Sequence, residues 1–144
     1  MKASMFYRIA AVLLLLFDAG HTSGFPWSDP AWGVDLASVR STHFYIMGFS
    51  RTYWHFYVGF GLFVSVFLLL AAVFAWQLGR LPPESLALMR GTAWAFALCF
   101  AGITVLSWKY FFIIPIVFSI VIALCLTAAA WLSAKQVSMP PLRQ

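Results

Sequence analysis

The chain has 144 residues, of which 63% are hydrophobic and 9% charged, and its formal net charge is +5 at pH 7. Soluble domains are about 45–50% apolar and about 25% charged, so this composition excludes a water-soluble globule and, being so apolar, a disordered chain. The nine Lys and Arg residues are scattered at the ends of apolar segments rather than gathered in a stripe, which argues against a nucleic-acid partner.

A mean hydropathy of +0.91 and several long apolar runs indicate an integral membrane protein. The N-terminal stretch MKASMFYRIAAVLLLLFDAGHTSG imitates a signal peptide, with Lys2 and Arg8 ahead of an apolar run from Ile9 to Phe17. Asp18 and His21 spoil the small-residue cleavage pattern, so the segment reads as an uncleaved first span over residues 5–21. A span needs about 20 mostly apolar residues, and residues 53–77, 86–107 and 110–132 also qualify. Only helices keep every backbone group bonded in lipid, because the alternating segments of a barrel are lacking. The expected fold is therefore an all-α membrane protein. Four transmembrane helices form an antiparallel bundle in a single membrane domain, residues 1–144, with a short amphipathic helix in the first loop.

That first loop, residues 22–52, reads as ordered. Asp29-Pro30 has the pattern of a helix cap followed by proline in the first turn, and Trp32, Leu36 and Val39 form one apolar stripe behind it. Ser50 is a candidate cap for the second span, and Thr42 an alternative start. Further along, Gly79-Arg80-Leu81-Pro82-Pro83-Glu84 breaks the chain and starts a helix, with Glu84 at the positive dipole end. Trp108-Lys109-Tyr110 reads as a short link, making the last two spans a hairpin. Pro115 is expected to kink the fourth helix or open one of its backbone bonds. Tyr53, Trp54, Tyr57, Trp76, Trp108, Tyr110 and Trp131 mark the water interfaces. Lys2, Arg8, Arg80, Arg90, Lys135 and Arg143 fall on one side, against Arg40, Arg51 and Lys109 on the other, which puts both termini in the cytoplasm.

His21, His43 and His55, with Asp18, Asp29 and Asp35, all lie between residues 18 and 55 and near one membrane face. Asp18 and His21, at i and i+3, project from neighbouring positions, a spacing that metal sites in helical bundles use. One such pair is too few for a two-metal centre, and no metal is assigned, although Asp18, His21 and one of His43 or His55 are the conceivable mononuclear set. The structural alternative pairs Asp18 with Arg40, Arg51 or Lys109 and leaves the histidines at the interface. Arg51 and His55, four residues apart, suit an anionic group such as a lipid phosphate. Asp18, His21, His43, Arg51 and His55 are thus the candidate ligand-binding residues, and the cofactor is left open.

The middles of the spans hold no Asp, Glu, Lys, Arg or His, which argues against a pump, a coupled transporter or a single-chain channel. Cys99 and Cys125 lie within apolar runs and read as packing residues. Gly59, Gly61, Ala71, Ala72 and Ala75 of the second span, and Gly91, Ala95 and Gly102 of the third, are expected to let helix backbones approach. Phe56, Phe60, Phe63, Phe67 and Phe74 line the second span, facing lipid, core or an apolar ligand.

The stretches LLLLFDAGHTSGFPW, GFSRTYWHFYVGFGLFVS and LSWKYFFIIPIVFS resemble those of a group of small, uncharacterised bacterial four-helix integral membrane proteins, and the similarity covers nearly the whole chain. A looser similarity in size and helix count links it to DoxX-like membrane proteins. The resemblance implies the topology and a bacterial inner membrane, and it assigns no functional residue. The expected function is a non-catalytic accessory or interaction subunit, a homo-oligomer or part of a larger membrane complex in contact with membrane lipids. The alternative is a membrane enzyme or binder for a lipophilic ligand (quinone, isoprenoid or lipid) at the outer interface.

Overall fold

A computed structural model of the chain describes residues 2–24, 27, 29–30 and 33–136. Helix α1 covers Ala3–Gly24, and the short α2 covers Leu36–Ser41. Strands β1 (His43–Ile46) and β2 (Phe49–Thr52) precede α3 (Tyr53–Leu78), α4 (Pro83–Leu88), α5 (Arg90–Tyr110) and α6 (Ile113–Gln136). Helices α1, α3, α5 and α6 are each long and apolar enough to cross a membrane.

Helix α1 lies between α3 and α6, and α6 also packs on α5. Opposite ends meet. Ser4, Tyr7 and Arg8 of early α1 surround Gly79 just past α3, while His21 of late α1 bonds to Gly61 of early α3. Phe17 of late α1 stacks on Phe118 of early α6 at 5.1 Å between ring centroids. Helices α3 and α5 meet through Phe74 and Phe96, also at 5.1 Å.

Side-chain size is sorted across these contacts. Ala10, Ala11, Ala72, Ala75, Ala93, Ala97, Ala129 and Ala130 are buried, with Leu14, Ile122 and Leu126 among the few large aliphatic residues beside them. Phe60, Phe63, Val66, Phe67, Leu98, Val105 and Leu124 point outwards. In lipid, no hydrophobic force drives helices together, so close approach over small residues supplies the attraction, and bulky apolar groups face the solvent that suits them. Gly79 shows the tightest case. Its φ of −68° is ordinary, so space and not backbone conformation requires glycine there. A Cβ at this position would stand 3.1 Å from Arg8 Cγ and 3.2 Å from the Ser4 carbonyl oxygen. Gly59, Gly91 and Gly102 behave otherwise: among the described residues nothing comes within 4 Å of where their Cβ would be. The expectation that these three seat helix contacts within the chain is therefore corrected.

The first loop departs from its sequence reading in two ways. Its helix starts six residues later than Asp29-Pro30, because Gly33 takes a φ of +68° and the chain turns there; Asp35 is the cap, and Trp32 lies outside the described residues. Asp29 instead pairs with Arg40, whose guanidinium also stands 4.3 Å from the Trp54 ring centroid. The stripe survives in Leu36 and Val39, both half-buried on a helix that packs on α3. The second departure is a β-hairpin within an otherwise helical chain. His43 pairs with Thr52, Phe44 with Arg51, Tyr45 with Ser50 and Ile46 with Phe49. Both turn residues have positive φ, +48° at Met47 and +83° at Gly48, the sense that matches strand twist. Neither Ser50 nor Thr42 begins the second span; Thr52 caps it.

The cap of α2 makes a pH prediction. Asp35 Oδ2 accepts from the Ser38 hydroxyl at 2.6 Å and Oδ1 from the Ala37 N–H at 3.0 Å. The Ser38 hydroxyl first, then the Ser38 and Ala37 amides, hold this carboxyl below the usual carboxylate range. Its contribution to α2 is present above the ordinary carboxylate pKa and is lost as pH falls through the lowered native value. Protection of the Ala37 amide, taken as its exchange rate relative to the intrinsic rate at each pH, is expected to fall on acidification, and Asp35→Asn, which also caps, should remove that pH dependence. Protection of Ala37 that stays constant across the acid range would refute the assignment.

At the third span, Pro82 and Pro83 start a separate short helix with Glu84 in its first turn, and the chain breaks again at Met89. Helix α5 then runs on through Trp108-Lys109-Tyr110, three residues past the expected end of the third span, so the link to α6 is Phe111-Phe112. Pro115 is the third residue of α6, where its missing N–H has no helical partner to lose, and the helix is unbroken. Hydroxyls inside the spans bond to their own helices: Thr104 to the Phe100 carbonyl, Ser119 to Ile116 and Ser133 to Ala129.

Candidate functional site

The five candidate residues fall in three places. The first is the seam between α1 and α3. Thr22 Oγ1 donates to Asp18 Oδ1 at 3.2 Å and meets Ser65 Oγ at 2.7 Å. His21 Nε2 is 3.1 Å from the Gly61 carbonyl oxygen, which makes the ring nitrogen the donor. All four side chains are half-buried. The i, i+4 geometry of Asp18 and Thr22 along α1, and of Gly61 and Ser65 along α3, puts the two polar pairs opposite each other. Among the described residues no Lys or Arg pairs with Asp18, so the expected ion pair is corrected: Arg40 goes to Asp29, and the Lys109 ammonium stands 5.1 Å from the Tyr110 ring centroid.

The second place is the hairpin, where exposed His43 has its Nδ1 3.0 Å from Ser50 Oγ. Among the described residues no three of His, Cys, Asp and Glu gather as a metal would require, so the set of Asp18, His21 and either His43 or His55 is not assembled.

The third place is the start of α3. Arg51 lies on β2 rather than on a helix, yet it lines the same groove as His55, together with Phe56, Gly59, Phe60 and Phe63. The groove encloses about 200 Å³. Thr52 is the cap: its hydroxyl accepts from the His55 N–H at 3.3 Å, and its own N–H donates to His55 Nδ1 at 3.1 Å. This reciprocal arrangement fixes the ring chemistry. Because Nδ1 accepts a backbone proton, the imidazole carries its hydrogen on Nε2. Arg51 donates through Nη1 to the Ser50 carbonyl at 2.8 Å, and its guanidinium stands 5.2 Å from the Phe49 ring centroid. Phe44 of β1 closes on Phe56, which in turn meets Phe60 edge-on, at 5.3 and 5.7 Å between centroids.

A second groove, of about 310 Å³, lies between α3 and α5 and is lined by Phe67, Leu70, Ala71, Phe74 and Phe96. It is apolar throughout and offers shape without chemistry. Phe56, Phe60, Phe63 and Phe67 all point outwards, so none of them is a core residue, whereas Phe74 is partly buried against the core.

Sequence reasoning assigns Thr22 and Ser65 to no site, and it reads Gly59 as a helix-contact residue rather than part of a groove. For Gly59 the signal is present, since positions 51, 55, 59 and 63 recur at one helical turn. Thr22 and Ser65 give no signal, because nothing local links two hydroxyls on different helices. Comparison with known proteins adds no relative: no protein-family model, curated protein or solved structure matches the chain.

Proposed function

We propose that the chain is a non-catalytic component of a bacterial inner membrane. It crosses as an antiparallel bundle of four helices with both termini in the cytoplasm. It acts as an accessory or interaction subunit, in a homo-oligomer or a larger complex. The observation that carries this reading is where the polar groups are used. Asp18, His21, Thr22 and Ser65 tie α1 to α3, and His43 is engaged by Ser50. Gly91, Ala95, Cys99 and Gly102 meanwhile lie exposed on α5, the kind of small-residue surface on which membrane helices associate. The excess of basic residues at the end holding Arg8, Arg80 and Lys135 supports the orientation.

Crosslinking in native membranes, followed by native mass spectrometry after gentle extraction, tests the reading. A defined species heavier than one chain is expected, and a lone chain under both conditions would overturn it. A second reading has its own support: the groove that joins Arg51 and His55 to Phe56, Phe60 and Phe63 suits a binder of a lipophilic ligand at the outer interface.

A further inference from the structure

We infer that the groove at the start of α3 is a binding site for one anionic phospholipid, its phosphate at Arg51 and His55 and the upper part of its acyl chain along Gly59. The inference rests on the second reading above and names the ligand class that the site takes.

The polar end is a donor set with no acceptor to match. Among the described residues Arg51 has no carboxylate partner, and its single protein hydrogen bond goes to the neighbouring Ser50 carbonyl. Its remaining N–H groups have no acceptor among the described residues. The Thr52 cap turns His55 Nδ1 to the backbone, so the ring carries its hydrogen on Nε2, and His55 lines the same groove as Arg51. A guanidinium and a neutral N–H donor together match a phosphodiester, which has one negative charge and only acceptor atoms. A quinone carbonyl accepts hydrogen bonds but leaves the charge of Arg51 unanswered.

The apolar end fits a chain. Gly59 has no side chain and nothing within 4 Å of its Cβ position, so it forms the floor, one turn below His55. Phe56, Phe60 and Phe63 are the walls, all exposed on the outward face of α3. Tyr53, at the first turn of α3, touches Phe44 of the hairpin, with centroids 5.3 Å apart, and tyrosine at the end of a spanning helix suits the headgroup level. Charge above, an open floor below and aromatic walls follow the order of groups in a phospholipid running into the bilayer.

The test uses full-length protein in micelles containing equal parts phosphatidylglycerol and phosphatidylcholine, with lipids retained on the protein counted by native mass spectrometry. The wild type is expected to keep phosphatidylglycerol preferentially. Arg51→Gln should lower that preference about fivefold, the effect of one cation at a membrane surface. Lys109→Gln, a cation near the same end of the bundle, should leave it unchanged. Gly59→Leu fills the floor, its Cβ meeting nothing within 4 Å among the described residues, and should abolish retention of the lipid. If Gly59→Leu acts and Arg51→Gln does not, the site takes a neutral lipophile; the phospholipid inference falls while the second reading stands. If neither substitution changes what is retained, both fall. Displacement of the lipid by glycerol phosphate alone would also overturn the inference, because the site would then recognise a free phosphate.

Discussion

Leu98→Asp is expected to cost about 3 kcal/mol of membrane insertion for α5, the penalty of an acidic group at the centre of a spanning helix. Leu98 sits near the middle of Arg90–Tyr110 and is 67% exposed. On a protein surrounded by water, an exposed leucine at such a place could become aspartate with a change within about 0.5 kcal/mol. The two environments thus predict opposite results for one substitution. Helix α5 is the sensitive host, since its mean hydropathy of 1.5 is well below the 2.6 of α3. Glycosylation mapping of α5 in a host protein, with and without the substitution, reads the effect directly. Equal insertion of both forms would contradict a membrane-spanning α5 with Leu98 near its centre.

Gly79→Leu is expected to destabilise the protein by about 2 kcal/mol or more, since forced overpacking typically costs about 1–3 kcal/mol and part of the obstacle here is rigid backbone. The Arg8 side chain can swing aside, but the Ser4 carbonyl belongs to α1 and moves only if the helix moves. Unfolding in mixed micelles should show the loss for Gly79→Leu and almost none for Gly59→Leu, although both introduce the same side chain. The contrast separates a seam from a lipid face. Comparable stability of the two variants would mean that α1 and α3 do not meet at Gly79.

Much of this architecture can be read from the chain because a membrane imposes a length. Twenty-odd apolar residues have few other uses, so α1, α3, α5 and α6 stand out from composition. Their ends are less legible. Trp108, Lys109 and Tyr110 have the chemistry of a link, and α5 nonetheless runs through them, because interfacial aromatics are as content on the last turn of a helix as beyond it. The hairpin is hidden for a different reason. Paired turns with positive φ usually announce themselves as Asn-Gly or Asp-Gly, and here methionine fills the first position. The i, i+3 spacing of Asp18 and His21 does predict that they are near one another along α1. It cannot say that their partners are Thr22 and the Gly61 carbonyl, since the latter belongs to a helix forty residues away. Arg51 and His55 share a groove across a strand-to-helix corner, Arg51 on β2 and His55 in the first turn of α3.

The sorting of small residues inwards and large ones outwards reverses the usual map of mutational tolerance. In a protein folded in water, the largest losses usually come from truncating a buried large side chain such as phenylalanine, at about 3–5 kcal/mol. Here the vulnerable positions are Ala10, Ala72, Ala75, Ala129 and Ala130, where one added methyl has nowhere to go, while Phe60, Phe63 and Phe67 can exchange with leucine or isoleucine at little loss. Volume, not polarity, should therefore order the damage across the spans. A saturation screen of this chain would find its deepest sensitivity at its smallest side chains.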